Sequence, residues 1–293
     1  VDEVGSVSGG EAISAAVARP IAAAVIAVSA REPVKSRLSL RQTLAYGPLI
    51  RALAKRDLKA RYKQSVLGPA WVVFQPLALL AAFSVGFRSV AHVETGDVPY
   101  ALFALTGLIV WTYFQAVTMV AAGSIVNNYQ LVRWTACPRL ALPLATLVAN
   151  LPSFAVPLVA GLIAAGTSGY LWLGTLVVPA LFLWMAVLVG AFALFLSALS
   201  VRARDMLSVL PFLLQVTIFL CPIAYNTAQL SPTLRTLIEI NPLTGLIDVW
   251  RWAVLGVSPS MTAVVISLGL TAAGAFAAWR MFARLEVRMA DEI

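Results

Sequence analysis

The sequence predicts an all-α integral membrane protein with six transmembrane helices, an N-terminal amphipathic interface helix, and two short re-entrant outer helices between helices five and six. Three observations predict it. The chain of 293 residues is 60% hydrophobic and only 12% charged, with a mean hydropathy of +0.88, against about 45–50% apolar and about 25% charged in soluble domains. Five long stretches carry no charge at all: 64–87, 98–132, 140–201, 206–234 and 252–279. The basic residues lie on one side of those stretches.

A charged side chain at the bilayer centre costs about 2.5–3.5 kcal/mol on the insertion scale, so charge-free runs mark the spans. The third run, as a single helix rising 1.5 Å per residue, would reach about 90 Å, some three hydrocarbon cores. It must fold back, and Thr167-Ser168-Gly169-Tyr170 supplies the turn. The expected helices are 68–87, 99–123, 140–166, 171–200, 206–225 and 259–282. An even number puts both termini on one side. That side holds 18 basic residues, and the other holds only Arg88, Arg235 and Arg251. The positive-inside rule then places both termini in the cytoplasm and the chain in the cytoplasmic (inner) membrane.

Residues 1–39, rich in Ala, Ser and Val without a firm period, are expected to form a disordered cytoplasmic leader. Ile21 to Ala30 resembles a signal peptide only weakly, because Asp2, Glu3 and Glu11 stand where positive charge belongs. Residues 40–67 form the interface region. Pro48 suits the first turn of a helix, and Arg51, Lys55, Lys59 and Lys63 recur every four residues opposite Leu49, Ile50, Leu53 and Leu58. Such a helix lies along the inner surface, against anionic lipid. The plainer reading is a topology anchor. Residues 68–282 make the membrane domain and 283–293 a cytoplasmic tail.

Between helices five and six, Ser231-Pro232 and Asn241-Pro242 each set a capping residue before a proline, the usual start of a helix. The first short helix is expected over 232–240 and the second over 242–255, closed by Gly256. Neither can span about 30 Å of hydrocarbon. Asn241, Pro242, Asp248 and Arg251 are the candidate residues of this outer pair.

The chemistry missing from the sequence narrows the function. The spans carry no Asp, Glu, Lys or His, and Arg280 falls only at the end of one, so a proton relay is absent. No GxxxxGK[ST] phosphate loop occurs, and the outer acids Glu94, Asp97, Glu239 and Asp248 are too scattered for metal chemistry. Cys137 and Cys221 stand apart without a CxxC, and His92 is the only histidine. The basic excess, 21 against 13 acidic residues, sits beside the membrane and does not point to nucleic acid. Active work therefore requires energy from another chain, and the expectation is that this chain binds no cofactor and no metal.

Several pieces, in order, resemble the ABC-2 type permeases that export polysaccharides. The most specific runs from Arg56-Asp57-Leu58-Lys59 through Gly68-Pro69-Ala70-Trp71. Others are Leu131-Val132-Arg133 through Pro138-Arg139-Leu140, Val201-Arg202-Ala203-Arg204-Asp205, Phe219-Leu220-Cys221-Pro222, Asn241-Pro242-Leu243-Thr244 with Arg251, and Leu285 through Asp291. The stretch Trp134-Thr135-Ala136-Cys137 departs from a family segment that is usually more basic and aromatic.

The resemblance implies a homodimer joined to two copies of a separate ABC ATPase that binds ATP and Mg, exporting a polyprenyl-pyrophosphate-linked glycan of O-antigen, teichoic acid or galactan type. It makes Arg133, Trp134, Pro138 and Arg139 a candidate coupling segment, with Arg202, Arg204 and Asp205 as a second contact. Plain cytoplasmic turns remain the alternative for both. Lys55, Arg56, Lys59, Arg61 and Lys63 are candidates for the lipid pyrophosphate, or simply for anionic lipid. Trp71, Phe74 and Gln75 on helix one, with Phe212, Gln215, Phe219 and Tyr225 on helix five, are candidates for a sugar-lined channel wall. Ordinary packing or an interfacial belt is the other reading. An ABC-2 permease for a small drug or lipid, and a membrane anchor for a glycan-synthesis complex, are the alternative functions.

Overall fold

The computed structural model describes residues 46–63, 68–90, 95–134 and 138–285. The expected leader 1–39, the start and end of the interface region, and the last eight residues lie outside the described residues. Among the described residues there are eleven α-helices. They are α1 (Gly47–Tyr62), α2 (Trp71–Phe83), α3 (Tyr100–Ala122), α4 (Tyr129–Trp134), α5 (Ala141–Ala149), α6 (Leu151–Thr167), α7 (Val178–Arg202), α8 (Met206–Thr217), α9 (Pro232–Glu239), α10 (Pro242–Leu255) and α11 (Met261–Leu285).

Among the described residues, five helical stretches are long and apolar enough to cross a membrane: Trp71–Arg88, Tyr100–Ala122, Ala141–Thr167, Leu173–Arg202 and Met261–Leu285. Helix α3 is the hub. It packs against α2, α5, α6, α7, α8 and α10, and Phe103, Leu108, Ile109, Val110, Trp111, Tyr113 and Val117 are all buried along it. Helix α2 is the opposite case, an edge with most of its surface uncovered.

At one end of the bundle, Leu49, Leu53 and Ala54 of α1 are buried in a cluster with Ile125, Val132, Leu140, Ala198, Val201 and Phe282. The apolar side read from the sequence thus packs on protein, while Arg51, Lys55 and Lys59 of the basic ridge stay exposed. The first described helix and the end of the last one share this end of the bundle. The opposite end is closed by α10, whose Leu246, Ile247, Trp250 and Ala253 are fully buried. Gly245 lies against α11 so closely that a methyl group there would collide with the Ala263 carbonyl.

The expected third helix, 140–166, is two helices broken at Asn150. Pro152 has no N–H to offer the Val148 carbonyl, which accepts instead from the Asn150 N–H. Helix α3 supplies further donors at this break. The Tyr113 hydroxyl donates to the Leu147 carbonyl at 3.1 Å, and the Thr112 hydroxyl donates to the Ser153 carbonyl at 3.1 Å. Ser153 lies four residues before Pro157, the reason its own helical donor is missing.

The expected fifth helix, 206–225, is shorter than predicted. Helix α8 ends at Thr217, a 3-10 turn follows over Ile218–Leu220, and Cys221 is extended. At 1.5 Å and 2.0 Å per residue the helical part is about 24 Å long. Five of the carbonyls released at this break are capped by side chains, and that of Cys221 accepts from the Ile223 N–H at 2.7 Å. Tyr225 donates to Phe219 at 3.0 Å, Asn241 to Leu220 at 3.2 Å, Arg251 to Pro222 and to Ile223 (2.9 Å), and Tyr100 to Ala224 at 3.1 Å. The Arg251 guanidinium also lies 3.6 Å over the Phe103 ring. On α3, Tyr100, Phe103 and Gly107 recur at i, i+3 and i+7, forming one face against this segment. A methyl group on Gly107 would approach the Ile223 Cα to 3.0 Å.

The short outer helices begin where the capping pairs predicted, at Pro232 and Pro242, and Gly256 ends α10 with a left-handed φ of 72°. The Asn241 side chain accepts from the Leu243 N–H at 3.0 Å, the capping bond expected of that residue.

Removing the Arg251 side chain leaves two carbonyls and Asp248 without their cation, a loss of about 3–5 kcal/mol for a broken buried pair. Cys221, fully buried, reports on the break. In a Cys137→Ser background, Arg251→Met is expected to make Cys221 react with a maleimide at least tenfold faster than in the parent. An unchanged rate would show that the clasp does not hold this segment.

Candidate functional site

A groove of about 670 Å³ lies between α2, α3 and α8. Two walls each present one helical face. From α2 come Trp71, Phe74, Gln75, Ala78 and Leu79, and from α8 with its 3-10 turn come Pro211, Leu214, Gln215, Ile218 and Phe219. Both sets follow the i, i+3, i+4, i+7, i+8 pattern of a single face. Phe83 closes one end, and Trp111 with Gln115 on α3 forms the floor. Trp71 and Phe74 meet edge to face with ring centroids 5.4 Å apart, so their other faces remain available. Trp71, Phe74 and Phe219 are all exposed.

Of the seven residues proposed for a channel wall, five line this groove: Trp71, Phe74, Gln75, Gln215 and Phe219. The structure does not bring the other two into it. Phe212 follows Pro211 by one position, about 100° around the helix, and is exposed away from the lining. Tyr225 is half-buried and spends its hydroxyl on the Phe219 carbonyl. Trp111 and Gln115 were not singled out in the sequence. The only signal for them was a polar amide in the middle of an otherwise apolar span.

The residues at the α1 end fall into separate groups. Lys55, Lys59, Arg61 and Lys63 are exposed. Arg56 instead turns to protein, donating to Asp57 at 2.8 Å and to Asn128 at 2.8 Å. Asn128 in turn donates to the Ser124 carbonyl at 2.7 Å, so α1 is tied to the turn that leads from α3 into α4. Arg133 and Trp134 close α4, and Thr135, Ala136 and Cys137 lie outside the described residues. Pro138 and Arg139 open the turn into α5, their carbonyls accepting from Ala141 and Leu142. Arg202 ends α7, and Asp205 precedes α8, accepting the N–H groups of Ser208 and Val209 through its backbone carbonyl. A cavity of about 250 Å³ lined by Val126, Tyr129, Val201 and Arg204 puts the arginine-bearing turn after α7 beside the start of α4.

At the far end a smaller polar cavity of about 140 Å³ is lined by Asn226, Thr227, Arg235, Asp248, Arg251, Ser260 and their neighbours. Arg235 donates to Glu239 at 2.8 Å, and Ser260 donates to the same carboxylate at 2.8 Å. The Arg235 hydrogen bond holds the Glu239 carboxyl below its ordinary range. Asp248 is pushed up by burial, against the opposing pull of Arg251 at 3.9 Å. Among the described residues no group of three or more His, Cys, Asp or Glu is placed to hold a metal ion.

Comparison with known proteins agrees with this layout. Residues 48–255, from the start of α1 to the end of α10, match the family model described as "ABC-2 type transporter". Two relatives from Klebsiella pneumoniae, both described as "O-antigen export system permease protein RfbA", are 26% and 25% identical over 73% and 69% of this chain and 83% and 78% of their own. A protein of the same description from Myxococcus xanthus is 27% identical over 72% of this chain and 82% of its own length. The family match covers most of the chain, including α1, the helices that build the groove and the outer clasp: the protein belongs to the ABC-2 type transporter family, as a membrane subunit of a transporter.

Proposed function

We propose that this chain is the permease subunit of an exporter that moves a lipid-linked polysaccharide across the cytoplasmic membrane. It works as a homodimer with two copies of a separate ATPase that holds the ATP and Mg. The observation that carries the reading is the groove itself, in which flat aromatic faces alternate with neutral amides, the surface a sugar ring and its hydroxyls need. The relatives' descriptions as O-antigen export permeases support the same reading.

The chain would cross the membrane six times. Val201 belongs to the cluster at the α1 end, whereas Cys221, Ile223 and Ala224 pack in the other cluster with Tyr100 and Val254. Helix α8 and its capped tail therefore carry the chain from one end to the other, although the helix alone is short. The α1 end faces the cytoplasm by the distribution of basic residues. Helices α9 and α10 lie at the outer face as a non-spanning pair, tolerated there because protein surrounds α10.

In this scheme Lys55, Lys59, Arg61 and Lys63 meet the pyrophosphate of the carrier lipid at the inner headgroups, and α4 is the rigid piece that fits the ATPase. Arg204 beside Tyr129 adds a second contact to the same surface. The glycan passes along the groove and leaves past α9 and α10.

Each Lys or Arg near an anionic surface contributes about 1 kcal/mol. The triple variant Lys55→Ala, Lys59→Ala, Arg61→Ala is therefore expected to weaken binding of the lipid-linked glycan by up to about a hundredfold. Assembly with the ATPase should be unaltered, and wild-type export from vesicles carrying the triple variant would remove the assigned role. Replacing Arg133 and Trp134 by Ala is expected to leave ATP hydrolysis running while transport falls at least tenfold. Normal transport per ATP would reject α4 as the coupling piece. Reconstitution with the ATPase tests the whole reading, by following ATP-dependent movement of a lipid-linked glycan against that of a small amphiphilic drug.

A further inference from the structure

Three side-chain amides from three different helices converge on the groove: Gln75 of α2, Gln115 of α3 and Gln215 of α8. Among the described residues, none of the three side chains has a hydrogen-bond partner. Thr112, Tyr113, Ser200 and Thr271 of the bundle, by contrast, each donate to a backbone carbonyl. Gln75 and Gln215 are exposed on the two walls and Gln115 is half-buried at the floor, so their amides are open to a partner within the groove. Three of them on one surface mark a place where the partner comes from outside the chain.

The chemistry of that partner follows from what the lining offers. Each glutamine presents two N–H donors and one carbonyl acceptor, and none carries charge. No Asp, Glu, Lys, Arg or His lies among the residues that line the groove. A hydroxyl-rich ring can both donate to and accept from such amides while it rests on Trp71, Phe74 or Phe219. A phosphate or carboxylate would shed water there and meet no cation in return. Among the described residues the cations lie outside this lining, as on the exposed side of α1, at Arg139 and Arg204 in the turns before α5 and after α7, and around Arg251.

We propose that the groove selects a glycan whose repeating unit is uncharged, with Gln75, Gln115 and Gln215 as the residues that read its hydroxyls. The inference rests on the export reading given above and narrows its cargo. Acidic polymers, with a phosphodiester or a uronate in each repeat, are poor cargo. The pyrophosphate of the carrier lipid is handled outside the groove.

The experiment uses the full chain with its ATPase in proteoliposomes. Two polyprenyl-pyrophosphate-linked glycans of matched length are supplied, one neutral and one carrying a single phosphate or carboxylate per repeat. The neutral glycan is expected to move at least ten times faster at equal ATP hydrolysis. Gln115→Lys is expected to narrow that ratio by raising the anionic rate. The variant Gln75→Leu, Gln115→Leu, Gln215→Leu is expected to slow the neutral glycan at least tenfold with hydrolysis intact.

Equal rates for the two glycans in the parent complex would overturn the selection, and an unchanged neutral rate in the triple leucine variant would overturn the role of the amides. A hydrolysing complex that moves neither glycan would strike the export reading itself, a result distinct from equal movement of both.

Discussion

A backbone carbonyl in hydrocarbon has no water to turn to, and the architecture of this protein is arranged around that constraint. Continuous helices meet it without help, and the two breaks in the bundle do not. At Asn150 and at Cys221 the chain leaves the helix inside an apolar body, and both times α3 answers with hydroxyls. Tyr113 and Thr112 serve the first break, and Tyr100 serves the second together with Asn241 and Arg251. The most buried helix is thus also the one that supplies donors to its neighbours. Its central position follows from this double duty as much as from its apolar surface.

The same constraint separates charge from polarity. Among the described residues the ionised groups lie outside the groove lining, as on the exposed side of α1 and in the Arg235–Glu239 and Arg251–Asp248 pairs. Between these regions the polar groups on the groove wall are amides, which carry no formal charge. Arg56 is the exception that joins two levels. Its bond to Asn128 links a surface helix to the turn before α4, so the two share one mechanical frame.

Much of the layout was legible in the sequence because it depends on local rules. Ser231-Pro232 and Asn241-Pro242 announced α9 and α10 at the residues where they begin, and Gly256 announced the end of α10, since capping and proline geometry are decided within four residues. Trp71, Phe74 and Gln75 fell on one face by spacing alone. Phe212 was grouped with the channel wall for its aromatic character, and its angular position on α8 sets it apart from the residues that line the groove. Gln115 was passed over because α3 is apolar on all sides, and which side meets a groove is a tertiary fact. The breaks at 150 and 221 were missed for a related reason. A proline in a span does not say whether the helix continues, because the outcome depends on donors that arrive from elsewhere, such as Tyr113 from 34 residues away.

The clasp around residues 219–224 divides its parts unequally between main chain and side chain. Its acceptors are carbonyl oxygens, which every amino acid possesses, so replacing Leu220 or Ala224 by a residue of similar size leaves them in place. Its side-chain donors are Tyr100, Tyr225, Asn241 and Arg251, and each is a particular functional group with no generic substitute. Sequence drift through this region would consequently be lopsided: the gripped strand is free to vary in identity within its volume, and the residues that grip it are not.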